Sequence, residues 1–324
     1  MVDYTSLTRA QWLGLAQRLF DRIEQACVRF TPSEWKHTTP YLGWRVRDVL
    51  AHMTGAMPVN FRQVLERALA GDPSAPPEFN TFGRNKREVK RRKHMPIVDL
   101  MQEFRSEFDA IMATYREISE HDWLKPAWFF VGTVNVRTIF LAQLGDNVLH
   151  ERDLLLVNKK WKGLDPEYAG PLIDWLMREL RPAGFRPEKV AGLQVTALFR
   201  LSGAGGGQWT MAIAHGDCVV TPGEIASPHL VVEADTEDMF AAAQARAMPL
   251  IGRLARCVDW LRGPSRTEET VAFVTGYASL GLAKVRKRIR ISGDQELFDR
   301  FNRCFWHFWE RTKQTEENIG RGRL

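Results

Sequence analysis

The sequence predicts two domains of different class, an all-α four-helix bundle followed by an α+β domain with an antiparallel sheet. In the first half, apolar residues recur three and four positions apart, as in helices with one buried face. After Pro166 they alternate every second position, as in half-buried strands. The 324 residues suffice for two cores, so we assign residues 1–165 to the bundle and residues 166–324 to the α+β domain.

The first two helices are predicted from caps and apolar stripes. Thr8 and Gln11 form a capping box, which starts a helix that continues to about Cys27. The second helix follows the turn-rich segment TPSEWKHTTPYLGW and contains the stripe Val46, Val49, Leu50 and Met53. Pro58 should kink this helix, because proline cannot donate a backbone hydrogen bond.

Two further helices complete the predicted bundle. The third extends from Ile97 to Ile118, where seven apolar residues lie three or four apart. The fourth begins near Asn135 and runs to about Val157. Its inner stripe contains the polar residues Asp146, His150 and Asp153, which is unexpected for a face that should meet a core.

These inward polar residues predict a metal site. Asp146 and His150 lie one helical turn apart and point the same way, and His52 lies on the second helix among apolar neighbours. Three protein ligands leave a coordination position open, as in catalytic zinc sites. Fe²⁺ or Ni²⁺ would also accept these ligands. Alternatively, Asp146 and His150 form a buried hydrogen-bonded pair and His52 is an ordinary core histidine.

Two carboxylates are candidates to orient a metal-bound imidazole. Asp48 lies one turn before His52, and Asp153 lies three residues after His150. Such an acceptor would fix the tautomer of the ring.

Two segments resemble a known family. GWRVRDVLAHMTG (43–55) and GTVNVRTIFLAQLGDNVLHERDLLL (132–156) resemble the helix-two and helix-four signatures of DinB-like proteins and of the N-terminal domain of mycothiol-dependent maleylpyruvate isomerase. The resemblance implies a zinc site formed by His52, Asp146 and His150. The isomerase branch usually has Glu at the position of Asp146, so here the metal would sit closer to the fourth helix.

The second domain is predicted from its alternating segments. A short helix around Pro171–Leu180 precedes strands in LQVTALFRL, QWTMAI, CVVT, HLVVEA and RIRIS. Asp235 and Asp294 should each cap a following helix. SGAGGGQ (202–208) resembles a phosphate-binding loop, but no Lys-Ser/Thr pair follows it, and we interpret it as a hairpin connection.

The order of these strands resembles the sterol carrier protein type 2 fold over roughly residues 190–300. Residues 244–283 exceed the usual length of that fold and are predicted to be an insertion. The aromatic segment FDRFNRCFWHFWERTK is predicted to be an amphipathic core helix, or alternatively a helix packed between the domains.

Composition limits the location and the partners. The sequence lacks a secretory signal and a membrane span, and its four cysteines are widely spaced, so we expect a cytoplasmic protein with reduced thiols. Seven of the eleven residues in RNKREVKRRKH (84–94) are basic. Such a segment could contact nucleic acid, an anionic lipid surface or an acidic ligand. Because it lacks interleaved aromatics, it is instead predicted to be a solvated loop and helix start, and no nucleic-acid partner is expected.

The open metal site, together with what the family resemblance implies, makes the leading functional hypothesis a zinc-dependent enzyme that uses a low-molecular-weight thiol such as mycothiol. It would be an S-transferase or a thiol-assisted isomerase that acts on a small electrophilic substrate, as a monomer or homodimer. No cysteine lies in the two motifs, so the thiol should come from the cosubstrate. The alternative is a non-catalytic lipid- or sterol-binding protein with a vestigial metal site.

Overall fold

A computed structural model of the chain describes residues 3–41, 44–76, 81–190, 192–243 and 289–305. The predicted insertion at 244–283 and Cys257 lie outside the described residues, as does the aromatic segment beyond Phe305. None of the helices within the described ranges is long and apolar enough to span a membrane.

The first half is helical. Its α-helices are α1 (Arg9–Val28), α2 (Val46–Ala56), α3 (Gln63–Leu69), α4 (Thr81–Arg91), α5 (Ile97–Glu117), α6 (Glu120–Trp123) and α7 (Val136–Leu156). Short 3₁₀ turns occur at Tyr4–Ser6 and Glu34–Lys36. The long helices α1, α2, α5 and α7 pack around one apolar core, as the helical periodicity predicts.

Local signals place the helix ends correctly. The Thr8–Gln11 capping box is present: the Gln11 backbone N–H donates to Thr8 Oγ1 over 3.3 Å, and the Thr8 N–H donates to Gln11 Oε1 over 2.8 Å. The predicted interruption at Pro58 falls inside a π-helical segment, Met57–Arg62, which joins α2 to α3. A widened turn of this kind accommodates a residue that lacks a backbone N–H.

A small hairpin before α7 was not expected from the sequence. Strands β1 (Pro126–Phe129) and β2 (Gly132–Asn135) pair in antiparallel fashion. The last residue of β2, Asn135, is the N-cap of α7, and its Oδ1 accepts the Thr138 N–H over 2.8 Å. The hairpin therefore fixes where the helix carrying Asp146 and His150 begins.

The basic segment is mostly helix, whereas a solvated loop and helix start was predicted. Residues 84–91 belong to α4, and Arg92 is fully buried just beyond its end. Arg92 pairs with Glu88 at 2.6 Å and with Glu103 of α5 at 2.8 Å. The loop part of the prediction was wrong because part of the positive charge forms an internal ion-pair network, which leaves no apolar pattern to reveal the helix.

The second half contains short helical segments and a five-stranded sheet. The helical segments are α8 (Pro166–Trp175), a π segment (Leu176–Leu180), α9 (Arg181–Ala183), a 3₁₀ turn (Pro187–Lys189), α10 (Thr236–Ala243) and α11 (Gln295–Arg303). The strands are β3 (Val195–Ser202), β4 (Gly207–Ala214), β5 (Asp217–Pro222), β6 (Leu230–Asp235) and β7 (Ile289–Gly293). Asp235 and Asp294 accept backbone N–H groups at the starts of α10 and α11, as predicted.

The sheet is mixed, which corrects the prediction of an antiparallel sheet. Its strand order is β5-β4-β3-β6-β7. Neighbouring strands are antiparallel except β3 and β6, which pair in parallel. The segment after β5 crosses to the far side of β3, so β6 runs in the same direction as β3. The resemblance to sterol carrier protein type 2 stays a prediction.

The glycine-rich segment 202–208 is the predicted hairpin connection, joining β3 to β4. Gly205 has φ +72°, and a Cβ atom there would lie 2.4 Å from the backbone nitrogen of Gly170 in α8. Glycine is therefore required both for the left-handed backbone and for the close approach to α8. These glycines allow the turn to pack against α8. Their role is therefore structural, and they do not form a phosphate-binding loop.

Candidate metal centre

His52 is positioned by α2 and by the tight loop before it. The loop is closed by the Thr39 N–H, which donates to the Trp44 carbonyl over 2.7 Å, and by the Val46 N–H, which donates to the His37 carbonyl over 3.0 Å. These bonds bring Tyr41 and Trp44 beside the first turns of α2. His52 itself is 3% exposed.

Asp146 and His150 are positioned by α7. They lie at i and i+4, so both side chains point to the same side of the helix. His150 Nε2 lies 3.5 Å from Asp146 Oδ2. The His150 side chain is fully buried, whereas that of Asp146 is 25% exposed.

The fold brings the three predicted residues together. One donor atom from each of His52, Asp146 and His150 lies within 4.8 Å of the other two. The His52 and His150 rings are 4.8 Å apart between centroids and nearly perpendicular. The group can hold a metal ion, and Asp146 marks its more exposed side.

The donor set fits zinc. Two imidazoles and one carboxylate are ordinary zinc ligands, with bonds of about 2.0–2.2 Å. Ligand atoms at that distance in a tetrahedron are roughly 3.4 Å apart, close to the 3.5 Å between Asp146 Oδ2 and His150 Nε2. The three donor atoms lie at most 4.8 Å from one another. Side-chain movements of about 1 Å would bring them to the separation found around zinc.

Asp153, rather than Asp48, is placed to orient an imidazole of the group. Its Oδ2 lies 3.6 Å from His150 Nδ1, and its side chain is 1% exposed. Asp48 instead accepts the backbone N–H of Arg45 over 3.1 Å and so caps α2. With Asp153 facing Nδ1, the opposite nitrogen, Nε2, faces Asp146 and is the natural metal ligand.

Two aromatic side chains that sequence reasoning missed line the group. The Tyr41 ring lies 4.8 Å from the His150 ring and 5.6 Å from the His52 ring. Trp44 lies 5.4 Å from the His52 ring. Both residues belong to a loop without periodicity, so only their nearness to α2 in the sequence could have indicated them.

The helices that carry the group correspond to a known domain. Residues 16–155 match the sequence model of the mycothiol maleylpyruvate isomerase N-terminal domain. This match includes both α2 and α7, and therefore all three residues of the candidate metal centre. None of the curated proteins compared with the chain is similar in sequence.

A solved structure supports the same fold. The chain is similar to the crystal structure of the mycothiol-dependent maleylpyruvate isomerase, with a TM-score of 0.52 and 13% identity over 76% of this chain and 93% of that chain. YfiT from Bacillus subtilis, described as a probable metal-dependent hydrolase with an unusual four-helix bundle topology, is 14% identical over 48% of this chain and 89% of that chain, with a TM-score of 0.39. At 13% identity, the similarity to the isomerase structure shows a shared fold alone.

Proposed function

We propose that this protein is a zinc-dependent enzyme that uses a low-molecular-weight thiol, such as mycothiol, on a small electrophilic substrate. The observation that carries the proposal is the convergence of His52, Asp146 and His150, with Asp146 on the exposed side. The match of residues 16–155 to the mycothiol maleylpyruvate isomerase domain supports the choice of thiol. Three protein ligands leave a position for a cosubstrate, as in catalytic rather than structural sites.

The charge of the donor set favours a thiol cosubstrate. Two neutral imidazoles and one carboxylate carry a single negative charge, so a Zn²⁺ site of this kind retains one positive charge and favours an anionic ligand. When bound, zinc would lower the pKa of a coordinated thiol so that it is a thiolate at neutral pH. The Tyr41 and Trp44 rings against the two imidazoles limit the access of water from their side.

The described cysteines do not supply this thiol. Cys27 lies on α1, and burial raises the pKa of its thiol well above the ordinary value. Cys218 and Cys304 belong to the second half of the chain, and the metal-ligand group includes no cysteine among the described residues. Within the part of the chain that the structure describes, this supports a nucleophile supplied by a small-molecule cosubstrate.

A cosubstrate thiolate held at the candidate metal centre would be able to carry out two reactions. In an isomerase, the sulfur adds to one carbon of an electron-poor double bond, the resulting single bond rotates, and loss of the same thiolate restores the double bond with no net change of atoms. In an S-transferase, the sulfur keeps the new carbon bond: in an addition a proton joins the neighbouring carbon, and in a substitution the leaving group departs with its bonding electron pair. The substrate decides between these outcomes, because both begin with the same nucleophile.

Elemental analysis of protein purified without added metal tests the proposal. We expect about one zinc per chain in the wild type and its loss in His150→Ala and Asp146→Asn. The wild type should show mycothiol-dependent isomerisation of maleylpyruvate or mycothiol transfer to 1-chloro-2,4-dinitrobenzene, and the activity that it shows should disappear with the metal. Asp146→Glu should retain zinc, because a longer carboxylate still reaches the group.

His94→Ala is the matched control, because His94 is an exposed histidine outside the group. It should bind zinc as the wild type does. Absence of metal in the wild type, even after reconstitution with zinc, would overturn the proposal. Stoichiometric iron that zinc does not replace would also overturn it, because iron indicates oxygen or redox chemistry.

A further inference from the structure

A line of charged side chains connects the candidate metal centre to the second half of the chain. Asp153, which faces His150 Nδ1, also has its Oδ1 3.6 Å from Arg152 Nη1. Arg152 Nε donates to Glu237 Oε1 over 2.7 Å. Glu237 lies on α10, directly after β6, so the line crosses from α7 of the bundle to the sheet region.

Low exposure makes these charges interact strongly. The side chains of Asp153 and Arg152 are 1% and 12% exposed, and that of Glu237 is 25% exposed. A buried carboxylate needs compensation, which Arg152 supplies to Asp153. An arginine that bound Asp153 closely would, however, compete with His150 for the carboxylate oxygens.

Arg152 lies closer to Glu237 than to Asp153. The Arg152–Glu237 hydrogen bond is short, 2.7 Å, whereas Arg152 remains 3.6 Å from Asp153. Glu237 is itself held in place, because the indole Nε1 of Trp161 donates to the same Oε1 atom over 3.0 Å. A charge-assisted bond to Glu237 thus restrains the guanidinium and leaves Asp153 directed at His150.

We infer that Glu237 is a positioning residue for the metal centre, acting from the second half of the chain through Arg152 and Asp153 on His150. The inference rests on the proposed function, since it concerns the same metal group. Residues that orient metal-bound imidazoles typically change metal affinity about 10- to 100-fold when replaced. Glu237 is two residues further from the metal, so its replacement should cost roughly three- to tenfold.

Zinc affinity of the full-length protein tests the inference, measured by competition with a chromophoric chelator after metal removal. Glu237→Gln, which keeps the shape and removes the charge, should weaken zinc binding roughly three- to tenfold, and Asp153→Asn more strongly. Because Glu237 acts by restraining Arg152, the double variant Arg152→Gln/Glu237→Gln should regain most of the lost affinity. The absorption spectrum of the cobalt-substituted protein should shift in Glu237→Gln and return in the double variant.

Glu224→Gln is the matched control, because Glu224 also pairs with an arginine, Arg200, in the second half of the chain. Thermal unfolding of the metal-free variants shows whether a substitution destabilises the fold itself. A merely structural role of Glu237 also predicts no recovery of zinc affinity in the double variant. Unchanged zinc affinity in Glu237→Gln, or no recovery in the double variant, would overturn the inference alone. A wild type that binds no zinc would overturn the proposed function and this inference with it.

Discussion

The carboxylate of Asp174 accepts a hydrogen bond from the indole Nε1 of Trp209 over 2.8 Å, which joins α8 to strand β4. The same carboxylate accepts the backbone N–H of Tyr4 and a bond from Arg178 Nη1, both over 3.0 Å. With a side chain only 1% exposed, Asp174 therefore connects the N-terminal turn, α8 and the sheet through one buried charge.

Asp174→Ala should destabilise the protein strongly. It removes the acceptor of three donors, and one of these is a partly buried guanidinium that keeps its charge. Arg178 keeps its ion pair with Asp3, so the main cost is that of the buried donors left without an acceptor, about 1–3 kcal/mol each. Urea denaturation followed by tryptophan fluorescence should show a lower midpoint, while Asp217→Ala, at an exposed position on β5, should be close to neutral.

Local signals predicted much of the bundle and the candidate site. The Thr8 capping box and the apolar stripe of α5 are encoded within a few residues, and the structure retains both. Asp146 and His150 were recognisable because a polar pair at i and i+4 is unexpected on an inward helix face. His52 was recognisable as a polar residue among apolar neighbours on the second helix, and the packing of α2 against α7 brings it to the pair.

Features that depend on distant residues were not predictable in the same way. Helix α4 has no apolar stripe, because Arg92 is buried through ion pairs with Glu88 and Glu103 rather than through apolar contacts. The parallel pairing of β3 with β6 was missed, because alternation has the same period in parallel and antiparallel strands. Tyr41 lies beside the histidines through a loop, and loops carry no periodic pattern.

Gly55→Ala should destabilise the bundle, because α2 and α4 touch at this residue. A Cβ atom at Gly55 would lie 2.5 Å from Glu88 Cβ and 2.8 Å from Arg92 Nη1. The helices would have to separate, which typically costs about 1–3 kcal/mol and would disturb the buried Arg92 ion pairs. Thermal unfolding measured by circular dichroism should show a clear decrease in Tm.

Gly14→Ala provides the opposite control within α1. A Cβ atom there would lie 3.4 Å from Arg18 Nη1, the flexible end of a side chain. Alanine is the better helix former by about 1 kcal/mol, so this variant should be as stable as the wild type or more so. Equal effects of the two substitutions would contradict a close helix contact at Gly55.

Gly205→Ala should cost more stability than Gly216→Ala, although both glycines have positive φ values, +72° and +84°. The left-handed backbone alone costs an alanine about 1–2 kcal/mol at either site. At Gly205 the new Cβ would also collide with the backbone of Gly170, whereas at Gly216 nothing lies within 4 Å. Comparing the urea midpoints of the two variants measures the contact between the turn and α8.

Inorganic phosphate should not specifically stabilise the wild type, because the structure assigns the glycines to packing. Inorganic phosphate added to the wild type should leave Tm unchanged beyond the effect of an equal ionic strength of chloride. A saturable increase in Tm that Gly205→Ala abolished would instead restore the phosphate-loop interpretation.

Cys218 should react slowly with iodoacetamide at neutral pH, although it is only half-buried. Burial raises the pKa of its thiol from 9.0 to about 12, and the positive charge of Arg181 offsets only part of this shift. The thiolate is the reactive form, so a pKa raised by this amount lowers its fraction at pH 8 by roughly two to three orders of magnitude. Mass spectrometry of tryptic peptides after timed labelling of the native protein measures the rate at this residue.

The pH dependence of this labelling shows whether the pKa of the Cys218 thiol is raised or lowered. The rate at Cys218 should continue to rise between pH 8 and pH 10, because the folded thiol is still largely protonated there. In 6 M guanidinium chloride all four cysteines should react at the rate of an ordinary thiol, and that rate should level off above pH 9. Rapid labelling of native Cys218 at pH 7 would show a reactive protein thiol, and it would weaken the argument that the nucleophile comes from a cosubstrate.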